Sequence, residues 1–450
     1  MNTKPFLFSG RVKNGYDSHV HWRATGGFSR RISLHHVHSQ KDIYELKPIQ
    51  ENFTGQWLLG YGWDQNQFNE STFPTRAWLD EKFGETPVYF IRVDGHAAWL
   101  NTAALKLSDH WHKNIKSRAG GAILLGDDGY PTGIFIDLAM REVLQYIPDD
   151  DASMQSDLLA GQKAFHGAGF THIRDLTCDE KQWQVATALE KKGELQLAVE
   201  QFFSADEPSS FNECVRLARQ AKKETHDLLR PKGVKVYFDG ALGSEGALLS
   251  RPYLSGSGAG LQLLEVSQLA EMMQICFQNN LEIAVHAIGD EAAHIVARVA
   301  LDLKSQNILG QLHLEHAELL RPETIKIFSQ LGVICHLQPC HWLSDKKWLN
   351  NKIGELARFA FRWQELESAG VKYYFGSDSP IEKTSMQNNL YAVWDAKQNN
   401  IALPREDFFR DVSLMTRAHS HPDFNWCLET YSQFELGELV KIMFRGHQIG

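Results

Sequence analysis

The chain has 450 residues, 43% of them hydrophobic and 22% charged, a globular balance with room for one large barrel plus an appendage or for two to three ordinary domains. A net charge of −9 argues against nucleic acid and anionic membrane as partners, since both require a basic face. No window approaches the roughly 20 apolar residues of a membrane span, and residues 1–10 show no apolar core behind a basic flank. The six cysteines form no Cys-x-x-Cys pair, so the expectation is a cytoplasmic protein with free thiols. Small-molecule substrates remain as the partner class, and homo-oligomerisation is left open.

In chain order, strands are expected near 16–21, 170–176, 196–203, 234–239, 282–288, 312–317, 333–338 and 372–377. Helical patterns fall at 155–168, 207–228, 265–280, 290–306 and 322–331, with Pro322 suited to a first helical turn. Strand–helix alternation of this kind implies a parallel sheet, and eight strands close it into a (β/α)₈ barrel. The stretch from about 53 to 150, rich in Trp, Gly and Asn, breaks the rhythm between the first two barrel strands. It is expected as an insertion over the barrel mouth. The barrel proper would then run over 16–410, and residues 1–15 and 411–450 would form a smaller appended unit.

Chemistry-bearing residues sit at the ends of these strands. In Asp17-Ser18-His19-Val20-His21 the two histidines are two apart, so on a strand they share a face and can grip one cation. Val234-Lys235-Val236 carries a lysine inside an apolar run. The runs ending at His286, His316 and Asp378 place further donors at strand C-termini. In a barrel all such ends converge on one face. Each residue also has a plainer account. Lys235 alone would be a lysine snorkelling at a strand end. His36-Val37-His38 would be an exposed strand, His313 and His336 would pack toward helices, and His341 would line the mouth.

The ordered motifs resemble the amidohydrolase superfamily, and within it amidohydrolase family 3, the branch similar to N-substituted formamide deformylases. They are Asp17 to His21, Gly62-Trp63-Asp64-Gln65-Asn66, Phe73-Pro74-Thr75-Arg76, His96-Ala97-Ala98-Trp99-Leu100-Asn101 and Pro131-Thr132-Gly133-Ile134. Lys235 with Asp239-Gly240-Ala241-Leu242-Gly243-Ser244, His286 to Asp290, Leu314 to Ala317, and Gly376 to Pro380 complete the set. The resemblance implies a TIM-like barrel with a β-sandwich subdomain built from the two termini, here reduced because only about fifteen residues precede the Asp17 motif. It implies a metal-dependent hydrolase of a non-peptide carbon–nitrogen bond, of amide or N-formyl type. His19, His21, Lys235, His286, His316 and Asp378 are its implied ligands, holding two zinc ions per chain, with Lys235 carboxylated to bridge them.

The residue types suit that role. Imidazole and carboxylate match Zn²⁺, whereas a free ammonium cannot bind a cation, so Lys235 fits only as a carbamate. A metal-held hydroxide would attack the carbonyl carbon, and Asp378 would carry the proton to the leaving nitrogen. His96, Trp63, Asp64 and Trp99 are candidates for substrate contact. Where relatives carry Ser-Arg after the fourth-strand motif this chain has Ser244-Glu245, which points to a less acidic substrate. Two rivals stand beside this reading. One is a mononuclear deaminase using His19, His21, His286 and Asp378. The other is a non-catalytic regulatory or binding protein.

Overall fold

The computed structural model describes residues 9–68, 72–93, 95–116, 121–256, 258–399 and 429–449. The chain divides into two compact units, one formed by residues 1–25 with 161–450 and the other by Gly26–Ala160.

Eight parallel strands form the heart of the first unit: β1 (Tyr16–Val20), β2 (His172–Cys178), β3 (Ala198–Ser204), β4 (Leu229–Tyr237), β5 (Glu282–Ala287), β6 (Leu312–His316), β7 (Ile334–Leu337) and β8 (Lys372–Phe375). They neighbour one another in sequence order. The ring nearly closes where β1 meets the end of β8. There the Asp378 amide donates to the His19 carbonyl at 2.8 Å, and the His21 amide to that of Ser379 at 2.9 Å. Gly376 permits this approach, since a Cβ there would lie 2.5 Å from the His19 nitrogen. Asp17 reinforces the seam, its carboxylate accepting from the Ser377 amide and hydroxyl, each at 2.7 Å.

Each predicted strand is present, with one boundary moved by more than two residues. Strand β4 starts at Leu229, five residues before the expected 234, even though Pro231 and Gly233 signal a turn. Pairing with β3 overrides that signal: Leu229, Arg230 and Pro231 align with Val199, Glu200 and Gln201, and an irregularity after Gln201 absorbs the mismatch. Between strands run helices such as Val266–Gln278, Asp290–Ser305 and Pro322–Leu331, burying Leu269, Met272, Met273 and Cys276, then Ala292, Val296 and Leu303, then Ile325 and Phe328. Gly332 stops the last of these in the left-handed region (φ 67°), where no Cβ penalty applies.

The described parts of the two termini form one four-stranded antiparallel sheet from Gly10–Lys13, Tyr431–Glu435, Glu438–Phe444 and His447–Gln448. The remainder of the expected 411–450 segment, with Cys427, lies largely outside the described residues; the other five cysteines are buried free thiols. No helix among the described residues is long and apolar enough to cross a membrane.

The second unit is wider at both ends than the 53–150 read from composition. Its sheet begins with Ile32–Ser33, which pairs in parallel with Trp57–Trp63, so residues before 53 belong to it. This mixed sheet buries both faces. One carries Leu58, Trp63, Phe90 and Trp99, the other Trp57, Tyr89, Leu100 and Phe135. His36-Val37-His38 is a turn after Ile32–Ser33 rather than the expected strand. Val37 anchors it in the core while the two histidines face solvent.

Candidate metal centre

At the carboxyl ends of the strands, ligand atoms of His19, His316 and Asp378 lie within 4.8 Å of one another. Asp378 Oδ1 is 2.8 Å from His21 Nε2 and 3.3 Å from His19 Nε2. The His316 ring centre is 4.7 Å from that of His19 and 4.4 Å from that of His286. Lys235 is 1% exposed, with Nζ 4.8 Å from the Tyr237 ring centre, and Tyr237 in turn lies 5.7 Å from the His286 ring. Barrel closure is what brings β1 and Asp378 together, 359 positions after His19.

Backbone geometry re-aims the sixth-strand ligand. Alternation along β6 puts His313 and Glu315 on one face and His316 on the other. His316 has φ 71° and Ala317 φ 47°, so the chain turns sharply there. Such conformations are costly for non-glycine residues and concentrate at functional sites.

The hydrogen bonds leave particular ring nitrogens for coordination. His19 Nδ1 is 2.7 Å from Glu315 Oε2, so Nδ1–H donates to the carboxylate and Nε2 keeps its lone pair. His316 Nδ1 donates to Gln338 Oε1 at 3.0 Å, again leaving Nε2. The protonation tendencies follow. Burial and the nearby Lys235 push His286 down to about 3, and burial with its histidine neighbours also lowers His316. Burial opposes a charge on His19, but the Asp378 and Glu315 carboxylates outweigh it and raise its pKa. Burial likewise opposes ionisation of Asp378, yet His19 and His21 hold it well below the carboxylate range. Burial lowers Lys235 to about 8 against the pull of Glu315 and Asp378. Neutral imidazoles and an ionised carboxylate are the forms that bind divalent cations. His286, His316 and Asp378 tend to those forms, and a cation would take the place of the proton that Asp378 and Glu315 favour on His19, so this donor set fits such an ion.

Several neighbours were not assigned from sequence. Glu315 and Gln338 orient His19 and His316. The one available signal was a charged residue inside the apolar run of β6, which once buried must have a partner. His341 stacks parallel to His316 at 6.0 Å, with Nε2 3.7 Å from Asp378 Oδ2. Asp239, fully buried, accepts the amides of Ile288, Gly289 and Leu248 and so ties the loops after β4 and β5 together. Asp290 is committed elsewhere, to Ser250 and Arg321.

His313 and His336 do not face helices as expected. They meet inside the barrel, His313 Nδ1 2.9 Å from His336 Nε2, with Glu282 of β5 2.9 Å from His313 Nε2. Phe202 and Tyr374, from β3 and β8, pack on them.

The four substrate-contact candidates belong to the second unit. Trp63 and Trp99 are fully buried there, their indole N–H groups donating to the carbonyls of Phe90 and Thr75. Asp64 pairs with Arg92 at 2.9 Å and caps a short turn through the Asn66 amide. His96 is exposed, 2.8 Å from Asp137.

An α/β barrel that gathers imidazole and carboxylate donors at the carboxyl ends of its strands is the architecture of a metal-competent barrel enzyme. The chain belongs to the amidohydrolase family, whose sequence model matches residues 15–396. It is 28% identical over 386 residues to Protein LONG AFTER FAR-RED 3 of Arabidopsis thaliana, covering 81% of this chain and 65% of that protein. It is 23% identical over 337 residues to the N-substituted formamide deformylase of Arthrobacter pascens, covering 72% of this chain and 62% of the relative. The chain thus spans somewhat under two thirds of each. Its fold is that of an uncharacterized metal-dependent hydrolase from Pyrococcus furiosus, with TM-score 0.70, 23% identity, and coverage of 98% of this chain and 87% of the other.

Proposed function

We propose that this protein is a metal-dependent hydrolase of a non-peptide carbon–nitrogen bond in a small molecule, of amide or N-formyl type. The observation that carries the reading is the convergence of His19, His316 and Asp378, with His21 and His286 beside them. The similarity to a formamide deformylase supports the bond type. His19, His21, Lys235, His286, His316 and Asp378 would hold two divalent ions, with zinc a good chemical match to so histidine-rich a set. Such ions supply Lewis acidity and bring the pKa of a water toward 7.

The chain's own groups do the rest. Gln338 and Glu315 hold two imidazoles in fixed tautomers. Lys235, with its pKa lowered to about 8, has a larger neutral fraction than an ordinary lysine, and the neutral amine is the form that reacts with CO₂. Asp378 accepts the proton of the attacking water and passes it to the leaving nitrogen.

The test is elemental analysis of the purified protein together with a screen of N-acyl and N-formyl compounds. Two metal equivalents are expected, with hydrolysis lost to a chelator and restored by zinc. One equivalent with deamination would turn the assignment to the mononuclear reading. Protein that binds no added metal would refute both.

A further inference from the structure

We infer that Glu315 is a positioning residue for the metal centre, held in place by Arg174: it fixes His19 in the tautomer and orientation that present Nε2 to a cation. The inference rests on the reading of His19 as a ligand. Glu315, on β6, is 0% exposed and reaches across the barrel bore to β1, where Oε2 accepts from His19 Nδ1–H at 2.7 Å. Its other oxygen lies 2.9 Å from Arg174 Nη1, on β2. The Arg174 guanidinium is also fully buried. It lies 4.1 Å above the Phe202 ring, and Nη1 donates to the Ser18 carbonyl at 3.3 Å. Its Nε and Nη2, and Glu315 Oε1, are buried without a hydrogen-bond partner, so the 2.9 Å contact is an ion pair rather than an aligned hydrogen bond.

A buried ion pair contributes little net stability compared with apolar residues of the same volume, and unsatisfied N–H groups make this one worse. Cohesion of the bore has another source. Lys232 lies 3.0 Å from Glu200 and 3.4 Å from Glu282, and Glu282 bonds His313, tying together strands β3 to β6 without touching a ligand of the centre. What the Glu315–Arg174 pair provides that a pair of leucines could not is direction. A carboxylate ion-paired at one oxygen with Arg174 Nη1 and hydrogen-bonded at the other to His19 is drawn into line between β2 and β1, and the imidazole bonded to it is oriented with it. Partners of this kind on ligating histidines typically govern 10- to 100-fold in metal affinity.

The test measures zinc affinity of metal-free protein by competition with a chromophoric chelator, alongside thermal unfolding of the same samples. The variants are Glu315→Gln, the double variant Glu315→Gln with Arg174→Met, and Lys232→Met as a control in the other network. The double variant removes both charges, so no guanidinium is left buried alone. We expect zinc binding about 10- to 100-fold weaker in both Glu315 variants, unfolding of the metal-free double variant close to that of the parent, and unchanged zinc affinity in Lys232→Met. Zinc affinity in the double variant within twofold of the parent would overturn the inference. A double variant that fails to fold would also overturn it, by assigning the pair to the fold. Equal weakening in Lys232→Met would show a barrel-wide effect and overturn it too. If the parent protein itself binds no zinc, it is the proposed function that fails.

Discussion

The two ends of the barrel bore use the same residue types to different effect. At the amino-terminal end His313, Glu282, Lys232, Glu200 and Tyr16 are tied to one another, and His336 bonds His313 through Nε2 while its Nδ1 is buried without a hydrogen-bond partner. Both nitrogens of His313 are engaged, and the Tyr16 hydroxyl donates to Glu200 at 2.7 Å. At the carboxyl end His19 and His316 each spend Nδ1 on a partner and leave Nε2 directed toward Asp378 and one another. A histidine with both nitrogens used holds a barrel together, and one with a spare lone pair among others can hold a cation. Residue type does not separate the two cases; the hydrogen-bond partner does.

The comparison breaks most visibly at Asp378. Asp378→Asn keeps the shape and a carbonyl oxygen but cannot carry a proton, so kcat should fall about 10²–10⁴-fold. Kinetics with metal content measured on the same samples check this, and parental kcat in a metal-loaded variant would remove Asp378 from proton transfer. Next in size is Lys235→Ala. If a carbamate bridges two ions, metal content should drop from two equivalents toward one and activity should fall with it. An unchanged stoichiometry would make Lys235 a packing residue like those at the other end of the bore.

Gly376→Ala tests the seam. The new Cβ would meet the His19 backbone at 2.5 Å, so destabilisation of about 1–3 kcal/mol is expected, with weaker zinc binding because His19 is displaced. Chemical denaturation and chelator competition would show whether the two losses occur together.

His166 gives the smallest effect and calibrates the others. It is buried, remote in sequence from every proposed ligand, and its ring bonds the Gln196 carbonyl at 2.9 Å. Burial lowers its pKa to about 4. The folded value is below the unfolded one of about 6.5, so the unfolded chain takes up the proton first as pH falls. The stability from His166 is therefore present above pH 6.5 and lost as pH falls toward 4. His166→Gln should flatten the stability profile by roughly 1.5 kcal/mol between pH 6.5 and 5 and leave zinc affinity alone. A variant with the parent's acid limb would show that other groups set it.

Strand order, barrel class and the candidate donors were legible because each rests on local pattern. Apolar runs of strand length, helices stopped by glycine, and the spacing of His19 and His21 need no tertiary information. Reading stopped where partners come from distant strands. Arg174 and Glu315 lie 141 positions apart, and nothing near either announces the other. His313 and His336 were expected to pack toward helices because alternation sets them out of phase with His316, and that inference failed where the chain turns at His316. The start of β4 was hidden because Pro231 and Gly233 mimic a turn that pairing with β3 overrides. The early edge of the second unit was hidden because the strand at Ile32–Ser33 has two residues, too short for any periodicity.

By itself, the sequence determined the parallel barrel, the order of its strands and which residues could bind a cation, since hydrophobic period and side-chain chemistry are properties of short segments. Tertiary structure alone decided which histidines keep a free lone pair. That choice depends on a carboxylate arriving from across the bore, on a backbone turn at His316, and on a seam at Gly376 close enough to bring Asp378 onto β1.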